Sequence, residues 1–541
     1  MKRILFNLII KIKIFGDIPM KFLYSLPVLA FGALISGCAA LNIFEDSSPG
    51  EKFITQDLIQ KDISFLASDS LKGRNTPSPE LDIASDYISN SFGSYGLGKI
   101  DGSYLQKVKL GLVNLGRENY LSITKDGKEI SFNLKDDFTP FEMTANKHSD
   151  APIVFAGYGI DAPEFKYNDY DNLDVNGKIV FVLRHEPGEN DTASIFNGKE
   201  STKYSNVDEK VRTAVKHGAI GVLVAQDPLN HSILTPKGFP WPSLSKIIPK
   251  DAIPLSLMID EKDKIPVVQV GESVIEKLFG SVENLKNIQS EIDKNLKPNS
   301  FNVSGAEASL KTSTEITDKS SNNVAGFIEG SDPVLKSEVV VIGAHYDHVG
   351  YISRHQEGED FIYNGADDNA SGTCGVLAVA KAFSESNQKP KRSVLFIAFC
   401  GEEKGLFGSR SYVENPSFTL EKTVAMLNMD MIGRNNPDSL TIYGNDRNPD
   451  LLRTALTANE DIGFKINYEN VRMSGGSDHA SFLNKKIPSL FFHSDTHADY
   501  HKVSDEVSLI NSEKIARVAK LVYKTAWEIA NNGEYFEVIN N

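Results

Sequence analysis

The chain has 541 residues, with 57 lysines and arginines against 72 aspartates and glutamates, and so a formal charge of −15. A hydrophobic content of 40% excludes a disordered chain, and the acidic balance argues against a nucleic-acid binder, which needs a basic face to meet phosphates. Three cysteines are too few for a disulfide scaffold. The length predicts roughly two to four domains.

Residues 1–37 have the pattern of a secretory signal, because a basic start precedes an apolar run from 22 to 37 that is short for a bilayer span. The sequence ISGC at 35–38 resembles a bacterial lipobox. That resemblance implies cleavage before Cys38 and lipidation of its thiol. It also implies a lipid-anchored protein of the bacterial cell envelope, on the outer membrane if the host is Gram-negative. A plain signal peptide is the alternative, and Met20 offers a second start site.

Residues 38–52 are polar and predict a tether, after which the main domain is expected to begin at 53. The pattern from 54 to 97 is helical and amphipathic, interrupted by the turn-rich text LKGRNTPSPE. Alternating runs around Asp126-Gly127 predict a β-hairpin. We therefore expect 53–145 to be the first part of the main domain.

A different unit is expected at 146–300. Short apolar strand candidates (APIVFAGYGI, GKIVFVLR, AIGVLVAQD, IPVVQV) surround one helix, predicted from Asp208 to His217. This pattern resembles a protease-associated (PA) domain, which family members use as a lid or substrate-positioning wall. A generic α/β insertion is the alternative. Neither interpretation gives this unit a reaction of its own.

Strand and helix candidates alternate from 301 to 541, where the main domain resumes. The strands VVVIGAH, SVLFIAFC and TVAMLNM are continuous apolar runs, which are typical of buried parallel strands. This alternation predicts an α/β fold, with a mainly parallel mixed sheet covered by helices on both faces.

The predicted strands end in carboxylates and imidazoles, where open α/β sheets bind their ligands. The residues in question are His345, Asp347, His348, Asp367, Asp368, Glu402, Glu403, Asp430, His493, His497 and His501. Converging loops of this composition would make an acidic pocket that needs cations. Oxygen ligands mixed with imidazoles suit Zn²⁺, with Mn²⁺ or Co²⁺ as alternatives.

Five motifs, in order, resemble zinc exopeptidases of the M28 type, the clan of bacterial dizinc aminopeptidases. They are GAHYDHVG, NGADDNASG, FCGEEKGLFGS, NMDMIG and DYHKVSD. The resemblance covers about 300 residues, with the PA-like insertion between its two parts, and implies a zinc-aminopeptidase-like fold.

The resemblance also implies roles for individual residues. His345 and Asp430 would bind the first of two zinc ions, Glu403 and His501 the second, and Asp368 would bridge both. Asp347 would orient the imidazole of His345. Glu402 would be the general base for a water that bridges the metals, and Tyr500 would donate a hydrogen bond to the developing oxyanion.

Several neighbouring residues keep a second interpretation. His348 is expected to be a pocket-wall or hydrogen-bonded histidine, with a metal ligand as the alternative, and His497 is an alternative ligand to His501. Asp367 is expected at a helix start or behind the ligands. The adjacent residues 477–479 (SDH) cannot form a triad geometrically and are expected in a substrate-pocket loop. Cys374 and Cys400 are expected to be buried and unpaired, with a disulfide as the alternative.

The leading interpretation is a metallo-aminopeptidase that removes N-terminal residues from peptides. A carboxypeptidase or dipeptidase, or a glutaminyl cyclase that uses one zinc, would keep the fold and change the reaction. A non-catalytic binding module is the remaining alternative, and the complete ligand set argues against it.

Overall fold

The computed structural model describes residues 48–539 except 197, 199–200, 237–254, 259–263, 354, 470 and 472–475. The predicted signal peptide, Cys38 and most of the tether lie outside the described residues and stay predictions. Within the described ranges, none of the helices combines the length and the apolar character needed to cross a membrane.

The strands of the described residues are numbered along the chain. They are β1 Leu105–Leu115, β2 Tyr120–Lys125, β3 Lys128–Phe132, β4 Phe138–Pro140, β5 His148–Phe155, β6 Asp161–Ala162, β7 Tyr167–Asn168, β8 Ile179–Leu183, β9 Gly221–Ala225, β10 Leu255–Leu257, β11 Val267–Val270, β12 Phe301–Lys311, β13 Thr314–Ile328, β14 Val339–His345, β15 Gly350–Tyr351, β16 Ile362–Tyr363, β17 Ser393–Phe399, β18 Thr423–Met429, β19 Ser439–Tyr443, β20 Lys465–Asn467 and β21 Ser489–His493.

The α-helices are numbered in the same way. They are α1 Gln56–Leu66, α2 Pro79–Ser94, α3 Val207–Lys216, α4 Glu272–Phe279, α5 Val282–Asn295, α6 Gly372–Glu385, α7 Phe407–Glu414, α8 Pro449–Ile462, α9 His479–Asn484 and α10 Ser512–Asn532.

Local sequence sets several of these boundaries. The side chain of Thr55 caps α1, and that of Ser78 caps α2 just before Pro79 at the first helical position. Gly463, with φ of +79°, ends α8, as its position after the helical pattern predicts. The hairpin is confirmed, because β2 pairs antiparallel with β3 across Asp126-Gly127.

The larger sheet has nine strands in the order β10-β1-β13-β17-β14-β18-β21-β19-β20. Its centre, β17-β14-β18-β21, is entirely parallel, and antiparallel strands extend it on both sides. Alternate residues of β14 pack into different cores: Val340 and Ile342 with α6 and α10, Val339 and Val341 with α7 and α9. The predicted mixed sheet with helices on both faces is thus confirmed.

The second sheet has eight strands in the order β3-β2-β12-β5-β8-β9-β11-β4. Its parallel centre, β5-β8-β9-β11, contains the strands predicted within the insertion. Strands within 120–140 and strand 301–311 also join this sheet, which therefore extends past both ends of the expected insertion. Leu121 and Leu310 of these strands pack into the core of the sheet. The domain limits at 146 and 300 stay a prediction.

Candidate metal centre

The predicted site residues come together at one edge of the nine-stranded sheet. His345 is the last residue of β14, Glu402 follows the end of β17, and Asp430 follows β18. These three strands are parallel neighbours, so their carboxyl ends lie side by side. The loop before α6 brings Asp368 to them, and the loop after β21 brings His501.

Three of these residues form a first group of metal-ligand type: His345, Glu402 and Asp430. The Nε2 atom of His345 lies 3.4 Å from Oδ2 of Asp430 and 4.0 Å from Oε2 of Glu402. His345 is 1% exposed and Asp430 is 6% exposed, so little water reaches them. The group therefore places one imidazole and two carboxylates in a largely buried site.

A second group contains His348, Asp368, Glu403 and His501. Nε2 of His501 lies 2.9 Å from Oδ2 of Asp368 and 3.2 Å from Oε2 of Glu403. The imidazole of His348 completes it, with Nδ1 2.8 Å from Oε1 of Glu403. The structure therefore brings His348 among the candidate ligands, a position that the sequence favoured only as the second interpretation.

Asp368 faces both groups with different oxygens. Its Oδ1 lies 3.5 Å from Nε2 of His345, while its Oδ2 meets His501. A carboxylate in this position can contribute one oxygen to each of two ions, as in two-metal sites whose ions are about 3.5–4 Å apart. The bridging role that the family resemblance implies for this residue stays a prediction.

The electrostatics of the site fit divalent cations. Burial raises the pKa of Glu402 well above its ordinary value, and the neighbouring carboxylates of Glu403 and Asp430 add to the shift. Burial opposes the charged form of His345, but the surrounding carboxylates outweigh it and raise its pKa well above the ordinary value. Oδ1 of Asp430 and Nε2 of His348 are buried without a hydrogen-bond partner. Carboxylates crowded around imidazoles, with spare donor atoms, are what Zn²⁺ requires.

Asp347 supports both His345 and Glu402. Its carboxylate accepts hydrogen bonds from the backbone N–H of Glu402 at 3.1 Å and from the hydroxyl of Thr76 at 3.1 Å. Nδ1 of His345 lies 3.2 Å from the backbone carbonyl of Asp347 and 3.7 Å from its carboxylate. The residue thus holds the His345 ring with its main chain, while its side chain fixes the loop that carries Glu402.

The adjacent residues Glu402 and Glu403 reach different groups because β17 has already ended. Gly401 has φ of +70°, which reverses the chain after the strand, and α7 begins at Phe407. The amides of Gly405 and Leu406 donate to the carbonyl of Glu402 and close the turn. In a continuing strand the two side chains would point to opposite faces.

A second carboxylate, Asp505, fixes the loop of the bridging residue. It accepts hydrogen bonds from the backbone N–H groups of Asp367 and Asp368, all between 3.0 and 3.1 Å. Asp367 does not reach either donor group: its side chain accepts from the amide of Gly433 and lies 3.3 Å from Nε2 of His497. His497 therefore lies behind the site, and the structure favours His501 as the ligand.

Arg74 ties three loops of the site together. Its guanidinium is fully buried and donates to the carbonyls of Leu66, Tyr346, Asn364 and Gly365. The acceptors lie beside His345 and just before Asp368. The sequence predicts only a turn-rich loop here, since nothing local indicates that one arginine reaches carbonyls up to 291 residues away.

The remaining predicted residues lie at or near the same edge. Tyr500 is 40% exposed, and its ring stacks on that of His501 with centroids 4.0 Å apart. Ser477 accepts a hydrogen bond from Asn428, and the ring of His479 stacks on Phe491, so no triad forms. Within the described residues, Cys374 and Cys400 are free and buried, as predicted.

Comparison with known proteins identifies two segments of the chain. Residues 323–526 match the model of peptidase family M28, and residues 149–278 match the PA domain. Aminopeptidase YwaD of Bacillus subtilis is 29% identical over 232 residues, which are 41% of this chain and 47% of that protein. A glutamate carboxypeptidase 2 homolog of Caenorhabditis elegans is 27% identical over 404 residues, 63% of this chain and 47% of that protein. The chain spans about half the length of these curated relatives.

Two solved structures are similar to this chain. An aminopeptidase from Aneurinibacillus sp. strain AM-1 is 22% identical, with 92% of this chain and 98% of that chain covered and a TM-score of 0.47. A zinc aminopeptidase from Bacillus subtilis is 20% identical, with 90% and 98% covered and a TM-score of 0.44. The two matches therefore identify an M28 peptidase segment at 323–526 and, ahead of it along the chain, a PA-domain segment at 149–278.

Proposed function

We propose that the chain is a zinc-dependent aminopeptidase whose centre holds two metal ions. The observation that carries the proposal is the position of Asp368, whose two oxygens face separate donor groups. His345 and Asp430 would hold one ion, Glu403 and His501 the other, and Asp368 both. His348 offers an additional donor to the second ion.

Bound zinc would supply Lewis acidity, which polarises a scissile carbonyl and lowers the pKa of a water molecule at the site toward neutrality. The protein's own contribution is to hold the ligands in place before substrate arrives. The buried guanidinium of Arg74 and the carboxylate of Asp505 fasten the loops that carry His345 and Asp368. Ligands fixed in this way lose little freedom when they bind.

Glu402 is assigned the proton transfers. Burial raises its pKa, so that the carboxyl group can take a proton from the attacking water and return it to the leaving amine. Its backbone is anchored by Asp347, and its side chain remains partly accessible, at 13%. A general base needs both features: a fixed position and an open path to substrate.

Tyr500 is assigned to the oxyanion that develops on the scissile carbonyl. Burial and the nearby carboxylates of Asp368 and Glu403 raise the pKa of its phenol, which keeps the hydroxyl protonated and able to donate. The ring is half-exposed and stacked on His501, so it borders the open side of the site.

A carboxypeptidase is the second candidate. The observation that favours it is the match to the Caenorhabditis glutamate carboxypeptidase homolog, which runs over more of this chain than the match to Aminopeptidase YwaD. A cyclase that uses one zinc is disfavoured by the second donor group, and a non-catalytic module by the presence of Glu402. Peptides are the substrate class under either exopeptidase function.

We also propose that Cys38 is lipidated and anchors the protein in a bacterial envelope membrane. The supporting feature is the lipobox-like text before it. Cys38→Ser should release the protein from the membrane pellet into the soluble fraction. A variant that still pellets with membranes would contradict the anchor and leave the peptidase proposal untouched.

The peptidase proposal is tested with three sets of fluorogenic peptides: free N-terminal, N-blocked, and free C-terminal with a blocked N-terminus. Cleavage of the first set alone is expected, with loss of activity in a chelator and recovery on adding Zn²⁺. Cleavage of the third set would select the carboxypeptidase. Activity that is indifferent to exhaustive chelation would refute a metal-dependent reaction.

A further inference from the structure

A second mixed cluster of imidazoles and carboxylates lies in the eight-stranded sheet, away from the M28 region. It consists of His185, Glu189, Asp227 and His231. His185 follows the end of β8 and Asp227 follows the end of β9, and these strands are parallel neighbours. The cluster therefore occupies the carboxyl edge of a parallel sheet, the position that the catalytic residues take in the larger sheet.

The four side chains converge on one point. Nδ1 of His185 lies 2.5 Å from Oδ1 of Asp227 and 3.4 Å from Oε2 of Glu189. Nε2 of His231 lies 2.7 Å from Oε1 of Glu189 and 3.7 Å from Oδ2 of Asp227. One donor atom from each residue lies within 4.8 Å of all the others.

The four nitrogen–oxygen separations involve both oxygens of each carboxylate and run from 2.5 to 3.7 Å. With bonds of about 2.0–2.1 Å, four ligand atoms around Zn²⁺ stand about 3.3–3.4 Å apart. Each imidazole approaches both carboxylates, which is the arrangement around one shared centre. Two independent histidine–carboxylate pairs would not need the crossed approaches of His185 to Glu189 and of His231 to Asp227.

The two histidine rings of the cluster stack on each other. The centroids of His185 and His231 lie 4.2 Å apart, with an angle of 24° between the rings. The stacked rings therefore present their nitrogens to the same two carboxylates, Glu189 and Asp227.

A neighbouring lysine side chain holds the backbone of the cluster in place. The buried ammonium of Lys210 donates to the carbonyl of His185 at 2.6 Å. That contact fixes His185 at φ of +56°, a conformation that a residue other than glycine rarely adopts. Asp227 has no exposed surface, and its carboxylate also accepts a hydrogen bond from the side chain of Asn230 at 3.4 Å.

We propose that His185, Glu189, Asp227 and His231 form a further metal site, which takes a divalent ion of the zinc type. Two imidazoles and two carboxylates select Zn²⁺ or a similar transition ion over Ca²⁺ or Mg²⁺, which prefer oxygen alone. All four ligands would belong to a single ion, with none shared with a second ion as Asp368 would be, so we assign the site a structural role. It joins the loop after β8 to the loop after β9.

The test compares the full-length protein with the double variant Glu189→Gln/His231→Gln. Both side chains are partly exposed, and the fully buried Asp227 is left in place. After equal dialysis against Zn²⁺, the double variant is expected to carry one zinc ion fewer per chain and to keep its peptidase activity. His148→Gln is the matched control, because this histidine of the same sheet lies 3.1 Å from Asp150 but outside the cluster.

A local readout separates this site from the catalytic centre. On adding Zn²⁺ to the chelator-treated chain, amide hydrogen exchange at 185–193 and 226–231 should slow in the wild type and stay unchanged in the double variant. His231→Gln alone, the milder change, should weaken this protection if the double variant fails to fold. Equal zinc content in wild type and double variant, or protection that survives in it, would overturn the proposal whether or not the catalytic centre holds zinc.

Discussion

Two clusters of histidines and carboxylates occupy equivalent positions in the two sheets of this protein. Both lie where parallel strands end: one after β14, β17 and β18, the other after β8 and β9. The first has seven histidines and carboxylates in two groups that meet at Asp368. The second has four donors around one point.

The two clusters differ in whether they contain buried polar atoms that have no hydrogen-bond partner. In the first, buried atoms such as Oδ1 of Asp430 and Nε2 of His348 have no hydrogen-bond partner. In the second, the four side chains contact one another, and none of them has such an atom. Catalytic metal sites keep a position for substrate, whereas structural sites are closed. The same location in a parallel sheet can therefore support either role.

The largest expected effect separates activity from metal content. Glu402→Gln should lower kcat by roughly 10²–10⁴-fold, because it removes the proton acceptor. Its zinc content should match the wild type. The double variant Glu189→Gln/His231→Gln should do the reverse, with one zinc ion lost and activity retained. Turnover close to that of the wild type in Glu402→Gln would remove the basis for its assignment.

The next largest expected effect is on zinc affinity and is measured by comparing variants of two neighbouring aspartates. Asp368→Asn should weaken zinc binding, measured by competition with a chelator, by at least about 10–100-fold, because the amide keeps only one oxygen, carries no negative charge and cannot give an oxygen to both groups. Asp367→Asn is the matched control, since its side chain contacts Gly433 and His497 instead of the donor groups. Equal losses in the two variants would show that Asp368 has no special bridging position.

A third comparison concerns the buried cations that hold each cluster. Arg74→Ala leaves four buried carbonyls without their donor and should cost about 3–5 kcal/mol of stability. Lys210→Met leaves two, at Tyr158 and His185, and should cost about 1–3 kcal/mol. Thermal melting should rank them in that order. Arg453→Ala, which breaks an exposed ion pair with Asp450, should change stability by less than about 1 kcal/mol.

The smallest expected effect is a pH dependence of stability at Lys514. Burial lowers the pKa of Lys514 to about 8, and its ammonium donates to the carbonyl of Arg434. Below pH 8 the folded and unfolded chains are both protonated there. Between pH 8 and the ordinary lysine pKa of about 10.4, only the unfolded chain holds the proton, so stability rises with pH.

Lys514→Met should remove that rise. Melting temperatures of wild type and variant, measured from pH 7 to 10, should therefore shift in favour of the wild type as the pH increases. Lys520→Met, on the same helix, controls for the loss of one lysine. A difference between wild type and Lys514→Met that stays constant over this range would contradict the lowered pKa.

Much of the fold could be predicted because its elements are marked locally. Continuous apolar runs such as residues 339–345 predicted buried parallel strands, and helix ends followed from residues such as Gly463. The candidate ligands followed from the same rule, since side chains after parallel strands share one edge. Arg74 and the contacts of His348 could not be predicted, because their partners come from distant parts of the chain.

The cluster of His185, Glu189, Asp227 and His231 also could not be predicted from the sequence alone. His185 follows one predicted strand and Asp227 ends another, so the rule that located the candidate metal ligands applies to them equally. Only their pairing with Glu189 and His231 distinguishes a four-donor site from two charged loop residues. That pairing depends on how the two loops fold back, which no local pattern encodes.

The amino-acid sequence by itself determined the strand order along the chain, the residue types at each strand end and the family to which the chain is similar. These features depend on local periodicity and on short motifs. The tertiary structure alone decided which oxygens of Asp368 face which imidazoles, and that Arg74 joins three loops. It also decided that a second cluster closes on itself in the other sheet. These contacts join residues far apart in sequence, so their geometry exists only once the two sheets have formed.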